Sequence, residues 1–226
     1  MSPEGGWPPE QGPDDAETQE RAARPYSVIV GVLFLGIVVF AGINALTNKT
    51  PGAGGLPDGA RLPHFAAPSA TGRLEGDANV SPSKACSVNA PGAIRICDYF
   101  DRPLVIVAWF SRCGGHCEPE LDRVERIRRQ FPQVAFIGLD IRDPIDKAKK
   151  AVLDHGWGFP MAVDRDGAVG QLYSVGIGPT TFFAYPGGVL MAKALGELDE
   201  ADLIARVKNL VRASRKRARE RASGGG

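Results

Sequence analysis

The sequence lacks an excess of charge of either sign and any internal repeat. Its 226 residues include 27 basic and 26 acidic side chains, so the net charge is +1. A dedicated nucleic-acid-binding protein normally carries a strong basic excess, and we therefore expect no nucleic acid among the partners. Hydrophobic residues make up 43% and charged residues 23%, values that exclude a wholly disordered or fibrous chain. The length fits one ordinary domain with additional segments.

Charge is also missing from one long run, residues 26–47, which is rich in Val, Ile, Leu and Phe. About 20 apolar residues in a helix span a hydrocarbon core of about 30 Å. A buried core helix of this length is rarely apolar on every face. A cleaved signal peptide is the closer alternative, but its leading region would be long and acidic here. We therefore predict an uncleaved transmembrane signal anchor, hence a single-pass protein of the cell membrane.

The bases around this run predict its orientation. Arg21 and Arg24 lie just before it, and Lys49 is the only base close behind it. This bias places the N-terminus in the cytoplasm and the rest of the chain outside, where disulfides persist. The predicted segments are a disordered cytoplasmic tail (1–25), the transmembrane signal anchor (26–47), a flexible Gly/Pro-rich linker (48–61), a folded domain (62–211) and a basic C-terminal tail (212–226).

The folded domain alternates strand and helix patterns. Leu104–Phe110 and Val134–Leu139 are apolar runs typical of strands covered on both faces. Thr180–Tyr185 and Val189–Ala194 flank a Pro-Gly-Gly turn and read as a hairpin. Helical patterns follow the first two strands and the hairpin. The predicted order is β-α-β-α, a short α, then β-β-α. It gives an α/β domain with a mixed central sheet and helices on both faces.

Cysteine is scarce, and two of the four cysteines lie at a reactive position. Cys113 and Cys117 flank Gly-Gly-His, directly after the first central strand and at the start of its helix. The partial positive charge of a helix N-terminus favours thiolate over thiol. The pair could form a redox couple or an inert structural disulfide. With His116 it could instead hold copper or zinc.

The other two cysteines, Cys86 and Cys97, enclose ten residues that include Pro91 and Gly92. We predict a structural disulfide across a surface loop, which would add roughly 3 kcal/mol in the chain-entropy model. A second redox pair that relays electrons is the alternative. His64 is expected to be an ordinary surface residue.

Several local signals coincide around the dicysteine. Trp109-Phe110 precedes it, Glu120 follows Cys117 by three residues, and Gly178-Pro179-Thr180-Thr181-Phe182 opens a later strand. Over residues 62–211 the chain resembles the TlpA/ResA-like group of membrane-anchored bacterial thiol-disulfide oxidoreductases. The resemblance implies a thioredoxin fold, with Cys113 as the attacking thiolate and Cys117 as the resolving thiol.

The same resemblance assigns further residues. Pro179 matches the family's cis-proline, so Gly178, Pro179 and Thr180 are expected to bind the substrate. Glu120 matches a glutamate that could shuttle protons to and from Cys117. An alternative interpretation of Glu120 is a solvated acid that interacts with the helix dipole. The implied partners are protein thiols and disulfides outside the cytoplasm, with apocytochrome c as one candidate. No cofactor beyond the redox-active disulfide is expected.

The sequence also departs from the family pattern. Three residues instead of two separate the cysteines, and Arg112 stands where the family has Trp. Arg112 and His116 would stabilise the thiolate, which makes the couple more oxidising. The direction of electron transfer therefore stays open between reductase and oxidase.

Three other functions remain as alternatives. A Cys-x3-Cys pair on a thioredoxin fold is similar to Sco-type copper proteins, so Cys113, Cys117 and His116 could form a copper-binding metallochaperone site. The Sco type uses a distant histidine, and the only later one is His155, which is expected to end a helix. A redox-inactive adaptor could use the Pro179 groove for binding alone. Resemblance to peroxiredoxins is weaker, because Phe110 replaces their threonine.

The chain closes with a basic tail. Its six bases are expected to form a solvated helix face, or to contact anionic lipid or wall polymer. These bases are Arg212, Arg215, Lys216, Arg217, Arg219 and Arg221.

Overall fold

A computed structural model describes residues 26, 28–42, 54–113 and 115–223, and the chain divides into two compact units. In the unit Met1–Thr50, residues 28–42 form helix α1. Its large apolar side chains are all exposed, and even Val38, the least exposed of them, is 50% exposed. No helix among the described residues is both long and apolar enough to cross a membrane. The predicted tail 1–25 and residues 27 and 43–47 of the predicted anchor lie outside the described part.

The unit Pro51–Gly226 contains the remaining secondary structure. Two short 3-10 turns, Ala85–Ser87 and Ile96–Tyr99, flank its second strand. In chain order its strands and α-helices are β1 (Ala66–Pro68), β2 (Ala93–Arg95), β3 (Leu104–Trp109), α2 (Cys117–Arg128), β4 (Ala135–Ile141), α3 (Ile145–His155), β5 (Met161–Asp164), α4 (Ala168–Leu172), β6 (Thr180–Tyr185), β7 (Val189–Leu195) and α5 (Glu200–Ser223).

The central sheet has the strand order β5-β4-β3-β6-β7. β3 pairs in parallel with β4 and antiparallel with β6, which confirms the expected mixed sheet. The strand order adds one element that the sequence analysis missed, β5. It has only four residues, too few for an alternating pattern, and its parallel pairing with β4 defines it. β1 and β2 form a separate two-stranded antiparallel sheet.

Both faces of the central sheet are covered, because all six residues of β3 are buried and alternate between two cores. Val105 and Val107 pack into the core formed with α2, α3 and α5. Leu104 and Ile106 pack into the other core, where α4 and the small sheet lie. This layering places the C-terminal end of β3 and the N-terminus of α2 at one edge of the sheet, where α/β proteins commonly bind ligands.

The described part of the predicted flexible linker, residues 54–61, makes specific contacts with the rest of its unit. The Gly55 N–H donates to the Ser174 carbonyl at 2.8 Å, and the Lys193 ammonium donates to the Leu56 carbonyl at 2.7 Å. Leu56 is only 7% exposed. The buried Leu56 side chain and these hydrogen bonds hold residues 54–61 in place, although their Gly/Pro-rich composition predicts flexibility.

The basic tail continues the last helix without a break, since α5 runs across the predicted boundary between 211 and 212. Five of its six basic side chains are exposed, as expected for a solvated helix face. Arg217 is half-buried, with its guanidinium 4.5 Å from the centre of the Tyr185 ring. Contact with lipid or wall polymer stays a prediction.

Candidate functional site

The dicysteine lies where β3 ends and α2 begins. Trp109 is the last residue of β3 and Cys117 is the first of α2. Cys113 and Cys117 form a disulfide with their Cα atoms 5.6 Å apart. Cys113 is half-buried, whereas Cys117 is fully buried at the helix N-terminus. Only the first sulfur is therefore accessible to a partner, and the second can react only through it.

The backbone before β6 forms a wall beside the accessible sulfur. The Gly178–Pro179 peptide bond is cis, in agreement with the resemblance. A Cβ atom at Gly178 would lie 2.9 Å from Cys113 Sγ and 2.6 Å from Phe110 Cδ2. There is no room for a side chain here, so the glycine backbone lies directly beside the sulfur. Thr180, which is buried, donates its hydroxyl to the Ile177 carbonyl at 2.7 Å. Backbone that precedes the cis-proline is thus held against Cys113.

Glu120 lies in the first turn of α2 and is fully buried, so the solvated alternative for this residue is wrong. Its carboxyl accepts the Leu198 N–H at 2.9 Å and the Thr181 hydroxyl at 3.2 Å. Burial raises the pKa of Glu120, although these hydrogen bonds and Arg123 act in the opposite direction. Cys117 and Glu120 are three residues apart on one helix, hence neighbours on its surface. A buried carboxyl with a raised pKa beside a buried thiol is suited to exchange protons with it.

A network of charged side chains near the surface lies next to Glu120. Arg123 pairs with Glu197 at 2.6 Å and approaches Glu120 at 3.7 Å. The hydrogen bond from Arg123 lowers the pKa of Glu197. His116, whose side chain is 71% exposed, places Nδ1 3.5 Å from Glu197. Arg112 is exposed and forms no ion pair within the described residues. The predicted tuning of the thiolate by His116 and Arg112 stays a prediction.

Buried acids support the loop that carries Cys113. Ser111 donates its backbone N–H to Asp143 at 2.6 Å, and its hydroxyl bonds to the same carboxylate. Asp140, at the end of β4, is fully buried, and desolvation together with the charge of Asp143 raises its pKa to about 9. Asp140 therefore carries a proton at neutral pH. Asp143 thus holds the loop two residues before the reactive sulfur.

The second disulfide joins Cys86 and Cys97, with their Cα atoms 5.7 Å apart, and agrees with the predicted pairing. His64 is exposed, as expected of a surface residue. Its ring lies beside this disulfide, and one ring nitrogen and the two sulfurs are within 4.8 Å of one another.

The ligand set predicted for copper is not brought together. Among the described residues, His116 forms no group of three metal-ligand side chains with Cys113 and Cys117. The later histidine, His155, ends α3 as predicted, and its Nδ1 lies 3.0 Å from the Asp122 carboxylate. Its ring is also stacked on Trp157.

Four residues of this site were missed at the level of sequence. Arg123 lies three residues after Glu120, a helical spacing that could have indicated the pair. Ser111 is adjacent to the predicted site but carries no motif. Asp143 and Glu197 come from loops far along the chain, and no sequence signal links them to the cysteines.

Three solved structures of similar fold set this arrangement in context. A candidate thiol:disulfide interchange protein DsbE from Chlorobium tepidum is 18% identical, with a TM-score of 0.56 over 70% of this chain and 98% of that chain. DsbF from Mycobacterium tuberculosis is 21% identical, with a TM-score of 0.54 over 68% and 99%. Peroxidoxin BcpB from the same organism is 15% identical, with a TM-score of 0.53 over 70% and 97%. These likenesses confirm the thioredoxin-like fold.

The prediction of a thiol-disulfide redox enzyme agrees with the family match described next, and the direction of electron transfer stays open. No curated protein matches the chain in sequence. The AhpC/TSA family pattern matches residues 76–193, which is more than half of the chain and includes both cysteine pairs. The narrower TlpA/ResA-like assignment stays a prediction. At the level of the family, the chain belongs to AhpC/TSA.

Proposed function

We propose that this protein exchanges disulfides with other proteins through Cys113 and Cys117, outside the cytoplasm and anchored to the membrane. The observation that carries the proposal is the unequal exposure of the two sulfurs beside the backbone of Gly178. A half-buried first cysteine can meet a partner sulfur, and a fully buried second cysteine can react only with the first. The family and the similarity to a structure named as a thiol:disulfide interchange protein support this chemistry.

The first step is attack by the Cys113 thiolate on a partner disulfide. A bond forms between Cys113 Sγ and one partner sulfur, the partner S–S bond breaks, and the second partner sulfur leaves as a thiolate that takes up a proton. The N-terminus of α2 stabilises the attacking thiolate. The main chain at Gly178 gives an extended partner segment a surface to lie on beside the sulfur.

The second step resolves the mixed disulfide. Cys117 gives its proton to the Glu120 carboxylate, and its thiolate attacks Cys113 Sγ. The Cys113–Cys117 bond forms, and the remaining partner sulfur leaves as a thiolate. The net result is a reduced partner and an oxidised protein. Run in reverse, the same steps oxidise a partner dithiol.

A test of the exchange chemistry measures the couple and its intermediate. The Cys113–Cys117 pair is titrated against glutathione, and its thiols are counted by alkylation and mass. A potential near −120 mV would define an oxidant and one near −270 mV a reductant, on the scale of known dithiol proteins. The C117S variant should accumulate mixed disulfides through Cys113, whereas C113S should not. No reversible couple, or equal trapping by both variants, would overturn the proposal.

Helix α1 supports the anchoring part of the proposal. Every large apolar side chain described in it is exposed, a state that favours a lipid environment over water. Membranes from cells that express the full chain are washed with alkaline carbonate, and external protease is added to intact cells. We expect the chain to stay in the membrane pellet and its folded domain to be cleaved from outside. The double variant L35R/V38R should leave the pellet, and release of the unmodified chain would contradict the anchor.

A further inference from the structure

The second cysteine pair carries an arrangement that disulfide exchange at Cys113 does not use. His64, Cys86 and Cys97 come from three separate segments, yet one ligand atom from each lies within 4.8 Å of the others. Zinc binds thiolate sulfur at about 2.3 Å and imidazole nitrogen at about 2.0–2.1 Å. Two ligands of one ion can therefore be about 4 Å apart, so the imidazole lies within reach of a cation held by the two sulfurs once their bond is broken.

The backbone holds these three residues in place independently of the S–S bond. Each is followed or preceded by a fully buried apolar residue. Phe65 follows His64, Ala85 precedes Cys86, and Ile96 precedes Cys97, all at 0% exposure. The Ile96 N–H also donates to the Phe65 carbonyl at 3.0 Å, which fixes the histidine segment opposite the second cysteine. When the disulfide opens, the sulfurs and the ring should therefore stay near one another.

The histidine is available to act as a ligand. Its ring packs at a tilt against Phe100, with centroids 5.8 Å apart, and this contact limits its orientations. Within the part of the chain that the structure describes, His64 forms no side-chain hydrogen bond or ion pair. Both sulfurs are half-buried, so a cation from solvent can reach them. The matching group at the catalytic pair does not form, because His116 faces Glu197.

We propose that His64, Cys86 and Cys97 form a redox-gated metal site that binds a thiolate-seeking d10 cation, Zn²⁺ or Cu⁺, only when the cysteines are reduced. Thiolate is the metal ligand, and a disulfide offers none. A partner dithiol opens the site by thiol-disulfide exchange. The Cys86–Cys97 bond breaks, two protons and two electrons pass to its sulfurs, and the partner dithiol becomes a disulfide. The cation then displaces those two protons.

Metal binding and the disulfide exclude each other at this site. A bound cation would hold Cys86 and Cys97 reduced, and oxidation would release the cation. The inference is independent of the exchange proposed for Cys113, because it uses none of the same residues.

The test uses the full chain in detergent with C113S/C117S as the background, so that the second pair supplies the only thiols. The protein is reduced with a phosphine, freed of reductant without oxygen and titrated with Co²⁺, whose thiolate charge-transfer band reports sulfur ligands. Zn²⁺ then displaces Co²⁺, Cu⁺ is tested in competition with a chromogenic chelator, and native mass gives the stoichiometry. We expect one cation per reduced chain and none per oxidised chain.

Variants separate a built site from a pair of loose thiols. H64A should weaken Zn²⁺ binding about tenfold or more, and H155A, a matched histidine change elsewhere, should leave it unchanged. C86A/C97A should bind nothing, and its far-ultraviolet spectrum is compared with that of the reduced background chain to confirm folding. The proposal is overturned if the reduced chain binds no cation or if H64A binds as tightly as its background. Either result would leave the glutathione couple of Cys113–Cys117 untouched.

Discussion

The two disulfides have nearly the same span but very different surroundings. Their Cα atoms are 5.6 Å apart at Cys113–Cys117 and 5.7 Å apart at Cys86–Cys97. The first pair lies at a helix N-terminus, with one sulfur fully buried. The second lies on short 3-10 turns, with both sulfurs half-buried. Bridge geometry therefore does not separate a reactive pair from a structural or metal-binding pair, and the neighbouring groups do.

Those neighbours differ in the chemistry that they offer. The first pair has Glu120 as a buried carboxyl and bare backbone at Gly178. The second pair has the imidazole of His64. A carboxyl moves protons during thiol exchange, whereas an imidazole completes a set of metal ligands. Variants that remove one of these neighbouring groups at a time test whether the neighbours determine what each pair does.

The largest expected effect comes from removing the sulfurs themselves. C113A should lower the rate of protein disulfide exchange by more than about 1000-fold, because it removes the nucleophile. C86A/C97A should keep most of that rate but lower the free energy of unfolding by about 2–5 kcal/mol. The rate is measured with a disulfide-bonded protein substrate and the stability by urea denaturation. Loss of exchange in C86A/C97A, with the fold intact, would make the second pair part of the relay.

The next effect concerns the wall beside Cys113. G178A should slow exchange about 10- to 100-fold, because its methyl group would push Phe110 or the sulfur out of place. The matched change G54A meets only Leu195, at 3.9 Å, and should leave the rate unchanged. Stopped-flow measurement of mixed-disulfide formation checks both. Equal rates for G178A and the unmodified protein would show that partners do not use this backbone.

Glu120 gives an effect of the same order, and this effect depends on pH. E120Q should slow the resolving step about 100-fold, since it removes the proton acceptor of Cys117. In the unmodified protein this step should accelerate as pH rises through the raised pKa of Glu120, and in E120Q that acceleration should disappear. The change E118Q in the same helix turn serves as the control. Resolution is followed as the decay of a purified mixed disulfide across pH.

The smallest effect concerns stability at Asp140. Its folded-state pKa is about 9, far above the usual value of 3.8. Between about pH 4 and pH 9 the folded protein holds a proton that the unfolded chain releases, so stability falls as pH rises through this range. D140N should flatten this slope and stabilise the protein most at high pH. D58N, at an exposed acid, should not. Urea denaturation at several pH values measures the slope, and an unchanged slope in D140N would contradict the buried proton.

Much of the fold could be predicted because its strongest signals are local. The run Leu104–Trp109 is apolar throughout and is buried throughout, since helices cover both faces of its sheet. The short strands were not predicted, because the signals that define them are not local. β1, β2 and β5 have three or four residues each, and they are defined by pairing with distant strands instead of by their own pattern. Leu56 holds a segment that composition alone marked as a linker.

The residues of the candidate site also divide into those with a local sequence signal and those without one. Cys113, Cys117 and Glu120 are close in sequence, so spacing and resemblance brought them together. Glu197 reaches the same place from 77 positions beyond Glu120, and Asp143 meets Ser111 across 32 positions. Contacts of that kind arise from strand order and loop packing, and one sequence contains no spacing rule for them. The burial of Glu120, and hence its raised pKa, was open for the same reason.

The bare backbone at Gly178 has a consequence for which proteins can be substrates. Main-chain atoms are the same in every polypeptide, so a surface made of them accepts many sequences and selects none. Selection would then fall to the side chains at its margin, where Ile177 is 47% exposed. Exchanging Ile177 for a charged residue would change the range of accepted substrates while the redox couple keeps its potential. The substrate range and the redox potential of this protein can therefore change independently of each other.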